Sequence, residues 1–170
     1  MTHHDTGHAP VDAEAVATVV GLMRDMPICL LTTVGTDGSL RSRPMTVQEV
    51  EATGDAWMFA SATTEVVEDL AVDNRVNLGF SSSDAWVSLA GRVEVVTDEV
   101  RTRDLWNTAA EAWFPDGPTD PDLRLLHVRA ASAQYWDTPG RAATLVAMVR
   151  ARLTDEQADV GDVGEVDLPD

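Results

Sequence analysis

The sequence predicts a mainly β fold, a small closed barrel of six mostly antiparallel strands with helices in the connections. Six stretches have the β-branched, aromatic or alternating pattern of strands, and turns rich in glycine and aspartate separate the early strands. Helical periodicity is confined to the segments between or beside these strands. With 170 residues, 44% of them hydrophobic, the chain is long enough for one domain with a hydrophobic core and too short for two ordinary domains.

The first element is an amphipathic helix over residues 12–26. Valines and a methionine recur there at i, i+3, i+4 and i+7, Asp12 suits the N-cap, and Pro27 ends the helix. The next segment, Ile28–Val34, is a continuous apolar run of the kind that is typical of a strand buried on both faces. The turn at residues 35–38 joins it to the second strand, so the two strands form a hairpin.

The rest of the chain alternates strands and helices. We predict strands at residues 40–49, 57–60, 76–80, 85–97 and 128–136, and helices at residues 64–73, 97–112 and 142–153. Gly91 marks a bulge or a bend in the fifth strand. These elements form one domain over residues 12–154, between a flexible N-terminal tail at 1–11 and an acidic C-terminal tail at 155–170, which its charge run predicts to be solvated.

The composition excludes several classes of partner and scaffold. The formal charge is −17, which argues against nucleic acid and anionic membranes as partners, and all 12 basic residues are arginine. The single cysteine, Cys29, excludes an intrachain disulfide and a four-cysteine zinc site, and its apolar neighbours predict that it is buried. Since neither a signal peptide nor an apolar window long enough for a membrane span is evident, we expect a cytoplasmic protein.

The histidines do not predict catalysis or a metal site. His3, His4 and His8 lie in the N-terminal tail, where flexibility weakens metal binding, so we predict no metal centre. His127 is interpreted as structural. Because no catalytic triad order, zinc spacing, phosphate-loop glycine pattern or glycosidase carboxylate pair can be argued, the sequence indicates a binding site more clearly than acid–base catalysis.

Positive charge is concentrated in one short segment. Residues 38–48 contain two arginines and no acid, whereas residues 49–73 contain seven acids and no base. Arg41 and Arg43 are two positions apart on a strand, so their side chains leave the same face and together suit a phosphate or a carboxylate. The alternative is that they pair with Glu49, Glu51 or other surface acids.

Polar and aromatic residues near this segment suggest the rest of a ligand site. Pro44 is expected to interrupt the strand ladder beside the arginines. Ser61, Thr63 and Thr64 precede a predicted helix, where they either seat a phosphate or cap the helix. The five tryptophans either pack against a flat heteroaromatic ligand or fill the core.

Several motifs together resemble a known family. Leu31-Thr32-Thr33, Asp37-Gly38, Arg41-Ser42-Arg43-Pro44-Met45 and Trp57-Met58-Phe59 followed by Ser61 and Thr63 are similar to the pyridoxamine 5′-phosphate oxidase-like, FMN-binding split barrels. The segments at 87–91, 105–106, 112–117, 120–121 and 133–137 resemble the general stress protein 26 branch, and Trp113-Phe114-Pro115 is the most specific of them. The likeness runs from about residue 12 to residue 168.

The resemblance implies a homodimer of six-stranded antiparallel split barrels with peripheral helices, which binds flavin at the subunit interface. It places Arg41, Arg43, Pro44, Met45 and Thr46 beside the isoalloxazine and phosphate, Ser61, Thr63 and Thr64 near the phosphate, and Trp113 and Phe114 near the ligand from the other subunit. Val66 stands where family members carry a lysine that contacts the phosphate.

The function that the resemblance implies is FMN binding by a general-stress-type protein that acts as a weak flavin-dependent oxidoreductase. FAD or a deazaflavin is the alternative cofactor, and a deazaflavin-dependent reductase or a non-catalytic flavin-binding or sensing protein is the alternative function. No residue is assigned as catalytic.

Overall fold

The computed structural model describes residues 12–138 and 162–168. In this part of the chain, a closed six-stranded antiparallel barrel carries one extra strand and four helices. The strands are β1 (Ile28–Val34), β2 (Leu40–Val50), β3 (Ala56–Ser61), β4 (Arg75–Ser81), β5 (Ala85–Val96), β6 (Leu123–Asp137) and β7 (Asp162–Asp167). The helices are α1 (Ala13–Asp25), α2 (Glu65–Val72), α3 (Glu99–Leu105) and α4 (Thr108–Trp113).

The strand order explains how the sheet closes. The strands follow the order β3-β2-β1-β4-β5-β6-β7, and β3 also pairs with β6, from Ala56 opposite Val128 to Ser61 opposite Leu123. All pairings between neighbours are antiparallel. The predicted fold class, a mainly β barrel with peripheral helices, is therefore confirmed.

Strand β1 has one buried face and one exposed face. Cys29, Leu31 and Thr33 point into the barrel, whereas Ile28 is 60% exposed and Leu30 is 51% exposed. The prediction that β1 is buried on both faces is wrong, because a barrel strand has a single inward face. Its continuous apolar run instead places large apolar side chains on the outer surface of the sheet.

Helix α1 forms as predicted and covers part of the barrel core. The Asp12 carboxylate accepts hydrogen bonds from the N–H groups of Glu14 and Ala15, at 3.0 and 3.2 Å, and so caps the helix. The buried face consists of Val16, Val19, Val20 and Met23. The helix lies against β2, β5 and β7.

Cys29 is a buried core residue, as expected from its apolar neighbours. Its Sγ lies 4.0 Å from Sδ of Met58, and burial raises the pKa of the thiol to about 12. The side chain therefore stays protonated and behaves as a small apolar group.

The segment 97–112 contains two helices where the sequence predicts one. Helix α3 ends at Leu105, and the Asn107 side chain accepts hydrogen bonds from the N–H groups of Ala109 and Ala110, which starts α4. Asparagine favours this capping role over a helix interior, because its side chain competes for backbone hydrogen bonds. The bulge predicted at Gly91 is present, since the β5–β6 register shifts between Ala90 and Gly91.

The acidic C-terminal segment joins the sheet. Strand β7 pairs with the end of β6, and Val166 and Leu168 are each 4% exposed. The expectation of a solvated tail is therefore wrong for residues 162–168, because apolar side chains alternate with the acids and supply a buried face.

The histidines of the N-terminal tail and the predicted helix at 142–153 lie outside the described residues. None of the helices that the structure describes has the length and apolar character needed to cross a membrane.

Candidate functional site

The barrel is split between β2 and β3. These strands pair only where Val47, Glu49 and Val50 face Met58, Trp57 and Ala56, and the register is irregular between Val47 and Glu49. Beyond this point β2 remains paired with β1, and β3 remains paired with β6. A cavity of about 670 Å³ is lined by the separated parts of β2 and β3, together with α2 and α4.

Nine of the ten predicted site residues line this cavity. Strand β2 contributes Arg43, Pro44, Met45 and Thr46, the β3–α2 connection contributes Ser61, Thr63 and Thr64, and the end of α4 contributes Trp113 and Phe114. The remaining lining residues are Gln48, Phe59, Ala60, Glu65, Val66 and Ala110. Residues separated by up to 71 positions in sequence therefore meet at one place.

Arg41 is the predicted site residue that does not line the cavity. Its guanidinium lies 3.3 Å from the Asp37 carboxylate in the β1–β2 turn and 3.6 Å from the Asp69 carboxylate. Hydrogen bonds from the Ser39 side chain and N–H, assisted by the charge of Arg41, lower the pKa of Asp37 to about 2. Arg41 is thus held by the hairpin turn and by α2.

Arg43 is held by a buried carboxylate. Its Nη2 donates to Asp69 Oδ2 at 2.9 Å and its Nη1 donates to Thr33 Oγ1 at 2.9 Å, while the Thr33 hydroxyl donates to the same Asp69 oxygen at 2.9 Å. Asp69 is 1% exposed, and the arginine side chain is 22% exposed. Both arginines reach Asp69, so the prediction that they share a face is confirmed.

The Asp69 carboxylate is ionised despite its burial. Burial by itself raises its pKa, but hydrogen bonds from Arg43 and Thr33 and the charges of Arg43 and Arg41 outweigh this and hold the pKa below its ordinary value. The segment that is positive in sequence is therefore not a positive patch in the structure. The acids that pair with it are Asp37, Glu65 and Asp69. Glu49 and Glu51, the alternative partners in sequence, pair with Arg101.

The start of α2 presents an uncapped first turn to the cavity. Thr64 occupies the N-cap but accepts no hydrogen bond from the first turn, and its hydroxyl donates to the Ser61 carbonyl at 2.7 Å. The hydroxyls of Ser61 and Thr63 lie 3.0 Å apart. At α1, α3 and α4 the N-cap side chain does accept such a bond. Thr64 therefore does not cap α2 through its side chain.

Part of the cavity wall is aromatic. Phe114 meets Phe59 edge to face with ring centroids 6.1 Å apart, and Trp106 packs on the same phenylalanine at 5.7 Å. Trp113 is 75% exposed although it lines the cavity. Trp113 and Phe114 line the cavity of their own chain. A contribution of these residues to the site of another subunit stays a prediction.

Pro44 interrupts the sheet on one side only. The β1–β2 pairing runs without a break from Ile28 opposite Thr46 to Val34 opposite Leu40, and Pro44 pairs with Leu30 within it. The predicted interruption beside the arginines is therefore absent on the β1 side. Proline is tolerated here because the other edge of β2 is open to the cavity.

Asp69 and Glu65 belong to the site although the sequence did not single them out. A signal for Asp69 exists in retrospect, because it lies three positions after Val66 and next to Leu70, on the apolar side of a short helix. A charged residue on the buried face of a helix calls for a partner. Nothing in the sequence identified Arg43 as that partner.

His127 lies apart from the cavity-lining residues. Its ring stacks on Trp57 with centroids 3.9 Å apart, and its Nε2 lies 3.4 Å from Asp55 Oδ2. Arg101 covers the other side of the cluster, 4.7 Å from the Trp57 ring. Within residues 12–138 and 162–168, no group of three or more histidine, cysteine, aspartate or glutamate residues is placed to hold a metal ion.

Comparison with known proteins identifies relatives of the whole domain. Residues 14–159 match the profile of the family described as "Pyridoxamine 5'-phosphate oxidase like". No curated protein matches the chain. A candidate general stress protein 26 from Jannaschia sp. CCS1 is 26% identical, with a TM-score of 0.79 over 92% of this chain and 100% of that one.

Two further solved structures are informative. The general stress FMN/FAD binding protein from Xanthomonas citri is 32% identical, with a TM-score of 0.65 over 74% of this chain and 90% of that one. A heme binding protein from Mycobacterium smegmatis is 20% identical, with a TM-score of 0.60 over 79% of this chain and 57% of that one. The second of these likenesses concerns the fold alone.

Proposed function

Because the chain belongs to the pyridoxamine 5′-phosphate oxidase-like family, we propose that it binds a flavin in the cavity between β2 and β3, with FMN as the preferred ligand. The observation that carries the proposal is the convergence of nine predicted site residues on this cavity. The similarity to an FMN/FAD binding protein at 32% identity supports flavin as the ligand class.

The cavity has the size and polarity that a flavin requires. Its volume of about 670 Å³ lies within the range of about 300–1,000 Å³ that is typical of ligand sites. Met45 and Trp113 offer apolar surface to the ring system. Arg43 and the hydroxyls at the start of α2 offer donors to the phosphate.

The proposed activity is that of a flavin-dependent oxidoreductase. A bound flavin would supply electron and hydride transfer, while the chain's own residues bind it, orient it and exclude water from it. The ionisable residues among the described lining are Arg43 and Glu65. Because these two side chains are paired with each other, a non-catalytic flavin-binding or sensing role is the second candidate.

We also propose that a second copy of the chain covers the outer face of the sheet. Five large apolar side chains on that face are 38–69% exposed, namely Ile28, Leu30, Trp86, Trp136 and Val163. Register places Trp86 beside Trp136 and Trp136 beside Val163, so the surface is continuous across three strands. Exposed apolar surface of this extent marks an interaction site. Pro44, which pairs with Leu30, also lines the cavity, so a dimer on this face would adjoin the ligand.

A titration with FMN tests the proposed binding. Purified protein is saturated with FMN and desalted, and retained flavin is measured from its visible absorbance; the dissociation constant comes from quenching of flavin fluorescence. We expect retention by the wild type and by Thr36→Trp, whose site lies in the exposed β1–β2 turn. Thr63→Trp, which fills the polar end of the cavity, should abolish retention. A wild type that does not bind FMN refutes the proposal, and equal binding by both variants refutes its location.

A further inference from the structure

We propose that Glu65 sets the ligand preference of the cavity, because its carboxylate occupies the position beside Arg43 that the phosphate of a ligand would take. The inference rests on the proposed flavin site and adds a specificity-determining residue to it. Glu65 is the first residue of α2 and lines the cavity. It thereby reduces the advantage that FMN has over riboflavin, the same ligand without its phosphate, and does not reverse it.

The geometry shows an internal anion at the polar end of the cavity. Glu65 Oε2 lies 3.4 Å from Nη2 of Arg43 and 3.8 Å from Nη1 of Arg41. The residue also stands in the uncapped first turn of α2, where partial positive charge attracts an anion. The carboxylate therefore contacts the arginine that would hold a phosphate and adds negative charge at the helix end that would attract one.

The local charge balance leaves little attraction for another anion. Two arginines, Arg41 and Arg43, face three carboxylates, those of Asp37, Glu65 and Asp69. Asp69 is buried and accepts hydrogen bonds from Arg43 and Thr33. Its carboxylate therefore cannot move into solvent unless α2 unfolds locally. Asp37 is bound to Ser39 in the turn.

Glu65 differs from the other two carboxylates because it is free to move. Its side chain is 71% exposed, so it can rotate into solvent when a ligand phosphate approaches Arg43. That rotation breaks the contact with Arg43, and the charge that remains nearby still repels the phosphate. Glu65 therefore lowers the affinity for FMN without closing the cavity to the flavin ring.

Glu68 provides the matched control. It is an exposed acid on the same helix and also lies in its first turn, but it does not line the cavity. Replacing either glutamate by glutamine changes the net charge equally and weakens the same favourable interaction with the helix dipole. Only the Glu65 change removes a charge beside Arg43.

The experiment compares FMN with riboflavin, which has the same ring system and no phosphate. Dissociation constants are measured by fluorescence quenching for wild type, Glu65→Gln and Glu68→Gln at low ionic strength. We expect Glu65→Gln to bind FMN about fivefold more tightly, the scale of one partly exposed charge pair. Riboflavin affinity should stay within twofold in all three proteins, and Glu68→Gln should bind FMN as the wild type does. High salt should reduce the FMN effect.

The outcomes separate this inference from the proposed function. If both flavins bind but Glu65→Gln changes their affinities equally, or changes neither, the inference is overturned and flavin binding stands. The same FMN gain in Glu68→Gln also overturns it, because net charge would then explain the effect. If no protein binds either flavin, the proposed function fails and the inference fails with it. Matching thermal unfolding midpoints for the two variants verify that α2 is intact.

Discussion

Arg43 and Asp69 form an ion pair that joins strand β2 to helix α2 at the edge of the cavity. The guanidinium Nη2 lies 2.9 Å from Oδ2 of the carboxylate, and Thr33 on β1 donates to the same oxygen. Because Asp69 is 1% exposed while Arg43 is 22% exposed and reaches the cavity, the buried partner positions the accessible one. The geometry of the site thus depends on a residue that does not line it.

Replacing Asp69 with asparagine should destabilise the protein. The change leaves Arg43 without its ionised hydrogen-bond partner, and we expect a loss of about 2–3 kcal/mol in the free energy of unfolding. Urea denaturation measures this loss. Glu68→Gln, on the exposed side of the same helix, should change the free energy by less than about 0.5 kcal/mol. Equal effects of the two substitutions would mean that the ion pair contributes nothing to stability.

The contribution of Asp69 should also depend on pH. Its pKa in the folded protein lies below its ordinary value, which is about 3.9 in the unfolded chain. The stabilisation is therefore complete well above pH 4 and is lost as the pH falls through the lower, folded-state pKa. We expect the difference in unfolding free energy between wild type and Asp69→Asn to be constant from about pH 6 to 8 and to shrink below about pH 4. A difference that grows on acidification would contradict this assignment.

Local sequence patterns predicted most of the barrel, because each strand and turn carries its own signal. Strand β1, the bulge at Gly91 and the cap at Asp12 were all readable from neighbouring residues. The division of residues 97–112 into two helices was missed because Asn107 is equally compatible with a helix interior and a cap until its packing is known. Strand β7 was missed because its acids dominate its composition while its buried face depends on β6 and α1.

The sequence predicts most of the residues that line the cavity but not how their charges pair. The family likeness gathered residues from β2, the β3–α2 connection and α4, and they do line one cavity. The spacing of Arg41 and Arg43 showed that they share a face, but not that α2 would bring Asp69 and Glu65 against them. Charge pairing between segments that are distant in sequence depends on how a helix docks, which local patterns do not encode.

Trp113 should contribute to flavin binding and little to stability. Its side chain is 75% exposed and lines the cavity, so Trp113→Ala removes an aromatic contact with the ligand without opening the core. We expect the dissociation constants of FMN and riboflavin to rise together by about fivefold. The free energy of unfolding should change by less than about 0.5 kcal/mol. Val100→Ala, at an apolar site on α3 that is 68% exposed, is the control and should leave flavin affinity unchanged.

Val66→Lys should strengthen FMN binding selectively. Val66 lines the cavity in the first turn of α2 and is 4% exposed, and the family resemblance implies a lysine at this position that contacts the phosphate. One hydrogen bond to a charged group contributes about 1.5–3 kcal/mol, so we expect FMN affinity to rise by about tenfold to hundredfold and riboflavin affinity to stay unchanged. Val72→Lys adds the same charge at a 68% exposed position of α2 that does not line the cavity. An equal gain in both variants would attribute the effect to net charge.

Leu30→Glu should dissociate the proposed dimer. Leu30 is 51% exposed on the outer face of β1, and a glutamate there would place a charge in an apolar interface. Light scattering at micromolar concentration should give twice the chain mass for the wild type and a single chain mass for the variant. Val72→Glu, which puts the same charge on an exposed apolar position of α2, should remain dimeric.

Because Pro44 pairs with Leu30 and also lines the cavity, loss of the dimer should weaken FMN binding as well. A wild type that is monomeric would show that this face serves another purpose, whereas a monomeric variant with unchanged FMN affinity would show that one chain is sufficient to hold the ligand.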